Sequence, residues 1–172
     1  MLFIHSFQSE WLKTKRSLAS WLVIIGGFFT PLIIIVIRLV KPLSLKPLTM
    51  LPNYWKTHWQ SSWESMAIML LPLGVILASS LITQLEFKNN TWKQVHTTPQ
   101  HFTTIFFAKL AVIIVMMLQF FIFFNIGIYL SGIIPPLLLN DVEFPKGDIP
   151  YLFFLKQNAF YFLDCLPIIG LQ

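Results

Sequence analysis

The sequence predicts an all-α integral membrane protein, a polytopic helical bundle with an N-terminal interfacial helix. Of its 172 residues, 56% are hydrophobic and 11% are charged, whereas soluble domains carry roughly 25% charged residues. Several apolar segments approach the length of about 20 residues that a helix needs to cross a hydrocarbon layer of about 30 Å. We therefore expect one transmembrane domain, 1–172, with three clear spans and a partial fourth.

The charge pattern and the cysteine count narrow the classes of function. The net charge of +5 is spread over the polar segments, and no run of about five or six like charges resembles a nucleic-acid-binding tail. Membrane lipid and another protein are therefore the expected partners, and nucleic acid is not. The single cysteine, Cys165, excludes an intrachain disulfide and lies in an apolar run typical of a small core residue.

Residues 1–17 predict an amphipathic helix in the plane of the membrane interface. Its apolar side chains recur about one turn apart and its polar ones lie opposite, the two sets being Phe3, Phe7, Trp11 and Leu18, and His5, Ser9, Lys13 and Arg16. The basic sequence KTKR at 13–16 suits an anionic lipid surface. A frayed terminus ahead of the first span is the alternative.

Residues 18–37 predict the first span. They form a run of 20 residues without a charge, which is longer than the apolar core of a cleaved signal, about 7 to 15 residues. The run contains Gly26, Gly27 and Pro31. In lipid such residues are tolerated and often let neighbouring helices approach closely.

Residues 38–62 contain three prolines and lead into an aromatic stretch. Trp55, Trp59 and Trp63 are spaced four apart, so they lie along one side of a helix. We interpret them as interfacial anchors, because belts of Trp and Tyr are common at bilayer edges. A platform for a carbohydrate or an aromatic ligand is the alternative.

Residues 65–85 predict the second span. Glu64 and Glu86 bracket it, and their separation of 22 residues corresponds to roughly 33 Å, about one membrane thickness. The segment 86–109 is the longest polar interruption between two spans. It predicts one or two helices pinned at the membrane surface, and we expect another protein to act on it, with Trp92 as a buried anchor. The alternative is that Trp92 lies in the headgroup layer and that the lysines of this segment contact phospholipid.

Residues 110–132 predict the third span, which Pro135 and Pro136 are expected to end. Gln119 and Asn125 lie inside it. We interpret both as interhelical hydrogen-bonding groups, and substrate ligands are the alternative.

After the third span the sequence is first polar and then apolar. Residues 133–150 form an acidic loop rich in turn residues, without the spacing of a calcium loop. Residues 151–172 predict a fourth, incomplete span, and we expect the chain to be a fragment. Asp164 lies at apparent membrane depth, where an acid is by default a functional or pairing group. A carboxylate near a helix end is the alternative.

Signatures of enzymes and metal sites are missing from the sequence. There is neither a G-x-x-x-x-G-K-[ST] phosphate loop nor an H-E-x-x-H motif. His96 and His101 are five apart, which directs them to different sides of a helix. We therefore expect no catalytic, cofactor-binding or metal-binding residue on this chain.

Charge counts alone do not orient the chain in a membrane. With the N-terminus inside, the inner and outer segments each hold six Lys and Arg, so the positive-inside rule gives no preference. The cluster KTKR beside the first span and the acidic third loop favour a cytoplasmic N-terminus.

Three features together resemble a known family: the opening SEWLKTKRSLASWLVIIGG, the run QLEFKNNTWKQVHTTPQHFTTIFFAKL and the order of spans. They resemble the permease subunits of type-2 ABC exporters, in particular the lantibiotic-immunity and peptide-antibiotic export branch. The specific part is an acid at the end of the second span, a polar run after it and, beyond a proline, a Lys-Leu pair: Glu86, Asn90, Thr91, Trp92, Lys93, Pro99, Lys109 and Leu110.

The resemblance implies a six-span permease of the bacterial cell (inner) membrane with a cytoplasmic N-terminus and an elbow helix before the first span. The segment 86–109 would be a cytoplasmic coupling helix that docks on an ATP-binding-cassette ATPase subunit through Glu86, Asn90, Thr91, Trp92 and Lys93. ATP and Mg²⁺ would be bound by that partner, and a second permease copy or a paralogue would complete the transporter. The expected exported cargo is a peptide antibiotic or another amphipathic small molecule.

Two other functions fit the residues. A membrane-embedded enzyme acting on lipid or peptide would use Asp164 or the histidines as acid or base. A non-transporting immunity or scaffold protein would hold a peptide through Trp55, Trp59 and Trp63.

Overall fold

The structure is a computed structural model that describes residues 2–15, 17–41, 49, 51–88, 102–139, 144–145 and 147–170. Within these ranges the regular elements are six α-helices and one π-helical turn. The helices are α1 (Leu2–Lys15), α2 (Leu18–Val40), α3 (Tyr54–Ser65), α4 (Leu71–Lys88), α5 (Phe102–Leu138) and α6 (Tyr151–Gly170), and the π-helical turn Met66–Leu70 joins α3 to α4. The predicted all-α fold is confirmed.

Two of the described helices are long and apolar enough to cross a membrane, namely Leu18–Val40 and Thr103–Leu138. Their outward surfaces are apolar. Trp21 on α2 is 60% exposed, and Ile122 on α5 is 57% exposed. A surface of this kind is expected to contact lipid rather than water, in agreement with an integral membrane protein.

The central contact of the bundle is between α2 and α5, and small residues make it possible. A Cβ added to Gly27 would lie 3.0 Å from Cβ of Phe123 and 3.5 Å from backbone atoms of α5. On the opposing helix, a Cβ added to Gly127 would lie 2.7 Å from Cγ of Pro31. The expectation that the glycines and the proline of α2 allow close helix approach is therefore confirmed.

The predicted second span lies within a longer helical stretch. Helix begins at Tyr54, eleven positions before the expected start at 65, and continues through the π-helical turn to Lys88. The sequence after Asn53 contains no Pro or Gly until Pro72, so nothing in it interrupts helical hydrogen bonding. At the π-helical turn, Thr30 Oγ1 of α2 donates to the sulfur of Met66 over 3.5 Å.

Helix α5 is longer at both ends than the predicted third span of 110–132. It begins at Phe102 and continues through Pro135 and Pro136 to Leu138, so the expectation that these prolines end the helix is wrong. Its 37 residues correspond to roughly 55 Å at 1.5 Å per residue, more than the hydrocarbon layer requires.

The N-terminal helix ends in a hydrogen-bonded turn before α2. The carbonyl of Thr14 accepts bonds from the backbone N–H of Ser17 at 2.9 Å and from the hydroxyls of Ser17 and Ser20 at 2.7 and 2.8 Å. Leu18 therefore belongs to α2 and not to the apolar stripe of α1. These hydrogen bonds fix the turn between α1 and α2.

The buried face of α1 carries polar side chains beside Phe7 and Trp11, which pack against an apolar cluster. Ser6, Glu10 and Thr14 are each less than a tenth exposed, whereas Ile4 and Leu12 are 58% and 67% exposed. Glu10 forms an ion pair with Lys13, Nζ to Oε1, at 2.7 Å. The exposed surface of α1 mixes apolar side chains with polar ones such as His5 and Ser9, and the depth of α1 in a bilayer stays a prediction.

The last helix closes the bundle against α3, α4 and α5. It begins at Tyr151, as predicted, with the N–H of Phe154 donating to the carbonyl of Pro150 at 3.1 Å. The loop before it packs on the start of α3, since a Cβ on Gly147 would lie 2.8 Å from the carbonyl oxygen of Pro52. The largest buried cluster lies among these helices and consists of Trp59, Trp63, Met66, Val75, Met117, Phe121, Phe124, Ile128 and Cys165.

Candidate functional site

The predicted coupling residues fall mostly outside the described part of the chain. Glu86 lies in the last turn of α4, and α5 starts at Phe102. Asn90, Thr91, Trp92 and Lys93 lie between these helices, outside the described residues. Their role in coupling stays a prediction.

A polar cluster lies where α2, α3 and α5 meet, and we call it the Arg38 cluster: Arg38, Tyr54, His58 and Ser131. Nη1 of Arg38 donates to the hydroxyl of Tyr54 at 2.7 Å and to the carbonyl of Ser131 at 2.9 Å. Nη2 of Arg38 lies 2.9 Å from Nδ1 of His58. The guanidinium also lies over the ring of Tyr54, 5.6 Å from its centroid. One cation thus holds three helices together.

The hydrogen bonds of His58 define its tautomer. Because a guanidinium can only donate, Nδ1 of His58 is the acceptor, and the ring hydrogen is on Nε2. Nε2 then donates to the hydroxyl of Ser131 at 3.0 Å and to the carbonyl of Ile128 at 3.2 Å. The Ser131 hydroxyl donates in turn to the Ile128 carbonyl at 2.8 Å. Every polar atom of the imidazole has a partner in its neutral form.

The electrostatics of the Arg38 cluster keep His58 neutral. Burial, with the positive charge of Arg38 adding to it, lowers the pKa of His58 from 6.5 to about 3. Burial also raises the pKa of Tyr54, and Arg38 opposes that rise. The cluster therefore carries a single positive charge at neutral pH, on Arg38.

Pro135 explains why Arg38 bonds to a backbone carbonyl of α5. In a regular helix the carbonyl of Ser131 would accept from the N–H four residues later, and a proline has no N–H. Arg38 supplies the missing donor. The helix can continue through Pro135 because a neighbouring helix satisfies the carbonyl that the proline leaves without a partner.

A second polar contact joins α3, α5 and α6 through amides. Asn125 and Asn158 exchange two hydrogen bonds, each 3.1 Å long. Nε1 of Trp59 donates to Oδ1 of Asn125 at 3.0 Å, and Nδ2 of Asn125 also donates to the carbonyl of Phe121 at 2.7 Å. The interpretation of Asn125 as an interhelical hydrogen-bonding group agrees with this geometry. Gln119 is partly exposed and makes none of these bonds.

The three tryptophans of α3 pack against protein. Trp55, Trp59 and Trp63 are 8%, 3% and 0% exposed, and they share one side of the helix as their spacing predicts. Trp59 stacks on Phe154 with centroids 4.9 Å apart, and Trp63 stacks on Tyr161 at 4.8 Å. Their depth relative to a bilayer edge stays a prediction, and their described neighbours include several aromatic side chains.

Two of these tryptophans differ in hydrogen bonding. Nε1 of Trp59 has its partner in Asn125. Nε1 of Trp63 is buried and has no acceptor among the described residues. An unpaired buried donor of this kind costs about 1 to 3 kcal/mol.

Two apolar grooves open on the surface of the bundle. One, of about 580 Å³, lies between α2, α4 and α5 and includes Trp21, Gly74 and Phe120 among its walls. The other, of about 780 Å³, lies between α3, α5 and α6, with Tyr129 and Phe154 on its walls and the Asn125–Asn158 pair at its side. The second groove combines apolar walls with a few polar groups, as binding pockets do.

The remaining predicted residues do not form a catalytic arrangement in the described part of the chain. Asp164 lies exposed on α6, and no described cation forms an ion pair with it. Among the described residues, no group of three or more His, Cys, Asp or Glu could hold a metal ion. His96 and His101 lie outside the described residues.

The sequence alone did not reveal the Arg38 cluster. Ser131 lies 93 positions after Arg38 and 73 positions after His58, so no local pattern in the sequence connects the three residues. Two sequence signals were available. One is a charged residue directly after a span, and the other is a proline pair inside a long uncharged run.

Comparison with known proteins gives one match. The family described as ABC-2 family transporter protein matches residues 6–171 of this chain. No match was found among curated proteins or among solved structures.

Proposed function

Because this chain belongs to the ABC-2 family of transporter proteins, we propose that it is the permease subunit of an exporter whose ATP hydrolysis takes place on a separate subunit. The observation that carries the proposal is the unbroken helical stretch from Tyr54 to Lys88. It joins the Arg38 cluster at one end to the segment 86–109 at the other, over roughly 50 Å at 1.5 Å per residue.

A stretch of this kind can transmit a displacement across the membrane. Rigid-body movement of packed helices is an ordinary mode of switching, and the tryptophans of α3 tie this helix to α5 and α6. A push on the segment 86–109 would therefore move the interior of the bundle. In this proposal the segment is cytoplasmic and docks on an ATP-binding-cassette ATPase.

In this proposal the partner subunits bind the nucleotide and complete the transport path. ATP and Mg²⁺ are bound by the ATPase, and Glu86, Asn90, Thr91, Trp92 and Lys93 form the coupling contact. A second permease copy or a paralogue completes the path. The complex lies in a bacterial inner membrane with the N-terminus of this chain in the cytoplasm.

The cargo we propose is a peptide antibiotic or another amphipathic small molecule. The groove between α3, α5 and α6 supports this choice, because its aromatic walls suit an apolar body. Asn158 can add a polar contact, since its bonds with Asn125 use one of its amide hydrogens and leave the other.

The test is co-expression of this chain with a candidate ATP-binding-cassette ATPase subunit. We expect Trp92→Ala and Glu86→Lys each to reduce co-purification and cargo-stimulated ATP hydrolysis at least tenfold. The matched controls are Trp21→Ala and Glu64→Lys, since Trp21 and Glu64 are exposed outside the coupling segment. Unchanged assembly, hydrolysis and export in both coupling variants would refute the coupling contact.

A further inference from the structure

The charge of Arg38 has no acidic partner in the described part of the chain. Its three described acceptors are all neutral: a phenol, a backbone carbonyl and a neutral imidazole. No carboxylate of the described residues lies within ion-pair distance of its guanidinium. A partly buried cation without an anion is unusual, because buried charges are normally paired.

The hydrogen bonds of Arg38 leave part of its binding capacity unused. A guanidinium carries five N–H donors. Nη1 uses two of them, on Tyr54 and Ser131, and Nη2 uses one on His58. One donor on Nη2 and the donor on Nε have no acceptor among the described residues, and Arg38 is partly exposed. Two adjacent nitrogens of one rigid plane are the arrangement that binds a carboxylate or a phosphate through two oxygens.

The position of Arg38 favours a phosphate of the membrane itself. It lies in the last turn of α2, a helix long enough to cross the hydrocarbon layer. Arg38 directly follows the uncharged run 18–37, so we expect its guanidinium at the level where phospholipid headgroups begin. The Arg38 cluster also orients the guanidinium before any ligand arrives, which lowers the entropy cost of binding.

We propose that Arg38, held by Tyr54, His58 and Ser131, binds the phosphate of a phospholipid headgroup. The chemistry that it recognises is a phosphate oxyanion taken by two guanidinium nitrogens. A bound headgroup neutralises the charge of Arg38, for which the described residues offer no carboxylate, and the lipid becomes part of the contact between α2, α3 and α5. This inference is independent of transport, and its test needs no ATPase.

The experiment is thermal unfolding of the purified chain in an uncharged detergent while short-chain lipids are titrated. The probes are phosphatidylglycerol, phosphatidylcholine, inorganic phosphate and a diacylglycerol with the same acyl chains. We expect both phospholipids to raise the unfolding temperature and to saturate, because a ligand that binds only the folded state stabilises it. The diacylglycerol, which lacks the phosphate, should produce no saturable shift.

The variants separate binding from the structural role of Arg38. Arg38→Gln should raise the dissociation constant for phospholipid at least tenfold, and Arg38→Lys should give a smaller loss because it keeps the charge without the planar fork. Lys56→Gln is the matched control, since Lys56 is an exposed cation over the ring of Phe153. Each variant is compared with itself with and without lipid, so a lower starting stability does not affect the result.

The outcomes are distinct. Saturable stabilisation that Arg38→Gln loses and Lys56→Gln keeps supports the site. The same pattern with inorganic phosphate alone supports the phosphate site and identifies a soluble anion as its ligand. An equal effect of the diacylglycerol, or an unchanged dissociation constant in both Arg38 variants, overturns the proposal. If Arg38→Gln does not fold, the Arg38→Lys titration decides.

Discussion

Arg38 of α2 donates to the carbonyl of Ser131 over 2.9 Å, at the one position of α5 whose helical donor Pro135 has removed. The two residues are 93 positions apart in sequence. The bond explains how an apolar helix tolerates a proline pair and why a cation stands at the junction of three helices. Four predictions follow from this contact and its neighbours.

The contribution of Arg38 should depend on Pro135. In the native background, Arg38→Gln leaves the Ser131 carbonyl without its charged donor, and bonds of this type contribute about 1.5 to 3 kcal/mol. In the Pro135→Ala background a backbone N–H is restored at that position, so Arg38→Gln should cost about 1 kcal/mol less there. The measurement is a double-mutant cycle of unfolding in detergent.

Pro136→Ala is the control for this cycle, because it restores the donor for Gly132 and not for Ser131. We expect its effect to add to that of Arg38→Gln. Equal costs of Arg38→Gln in the native and Pro135→Ala backgrounds would contradict the assignment.

His58 should make the stability depend on pH. Its pKa is about 3 in the folded protein and 6.5 as the ordinary value, so between these values the unfolded chain binds more protons. Above pH 6.5 His58 is neutral in both states and does not lower the free energy of unfolding. Below pH 6.5 the free energy of unfolding falls as the pH is lowered, by at most about 1.4 kcal/mol per pH unit from this group. Unfolding temperatures between about pH 7.5 and about pH 5 measure it.

The matched variants are His58→Gln, which removes the titrating group, and His5→Gln, which removes an exposed histidine of α1. We expect the slope between these pH values to fall in the first and to stay in the second. A His58→Gln protein with the full slope would show that another group is responsible.

Trp59 and Trp63 should respond differently to the same substitution. Trp→Phe removes similar apolar area at both positions, but at 59 it also removes a hydrogen bond to Asn125, and at 63 it removes a donor without an acceptor. Trp59→Phe should therefore cost roughly 1 kcal/mol more of unfolding free energy than Trp63→Phe. Equal costs in denaturation experiments would mean that the indole N–H of Trp63 has a partner.

The tight glycines should be intolerant of a methyl group. A Cβ at Gly127 would lie 2.7 Å from Pro31, and one at Gly132 would lie 2.7 Å from the ring of Trp55. Gly127→Ala and Gly132→Ala should each cost about 1 to 3 kcal/mol through overpacking. Gly74→Ala is the control, because nothing lies within 4 Å of its added Cβ, and it should stabilise α4 by about 0.5 to 1 kcal/mol. Unfolding of the three variants side by side checks this, and a stabilised Gly127→Ala would contradict the α2–α5 packing.

Much of the helical framework could be predicted because hydropathy and length are local properties. The first span was predicted as 18–37, and α2 ends at Val40. The last helix begins at Tyr151, as its preceding proline indicates. Where predictions failed, as at Pro135, the missing information was the identity of a neighbour on another helix.

The tryptophans show the same limit. Their spacing of four predicts one side of a helix, and the structure agrees. An indole suits both a lipid headgroup layer and an aromatic core, because it joins an apolar ring to one polar N–H. Which of the two it meets depends on α6, almost 100 residues later.

The π-helical turn Met66–Leu70 accommodates one residue more than an α-helical turn would. One residue corresponds to about 100° of rotation about the helix axis. Deleting a single residue here would therefore rotate Leu71–Lys88 about its axis relative to the tryptophans of α3. The number of residues between Tyr54 and Lys88, more than their identity, therefore sets how the two ends of this helical stretch are rotated relative to each other.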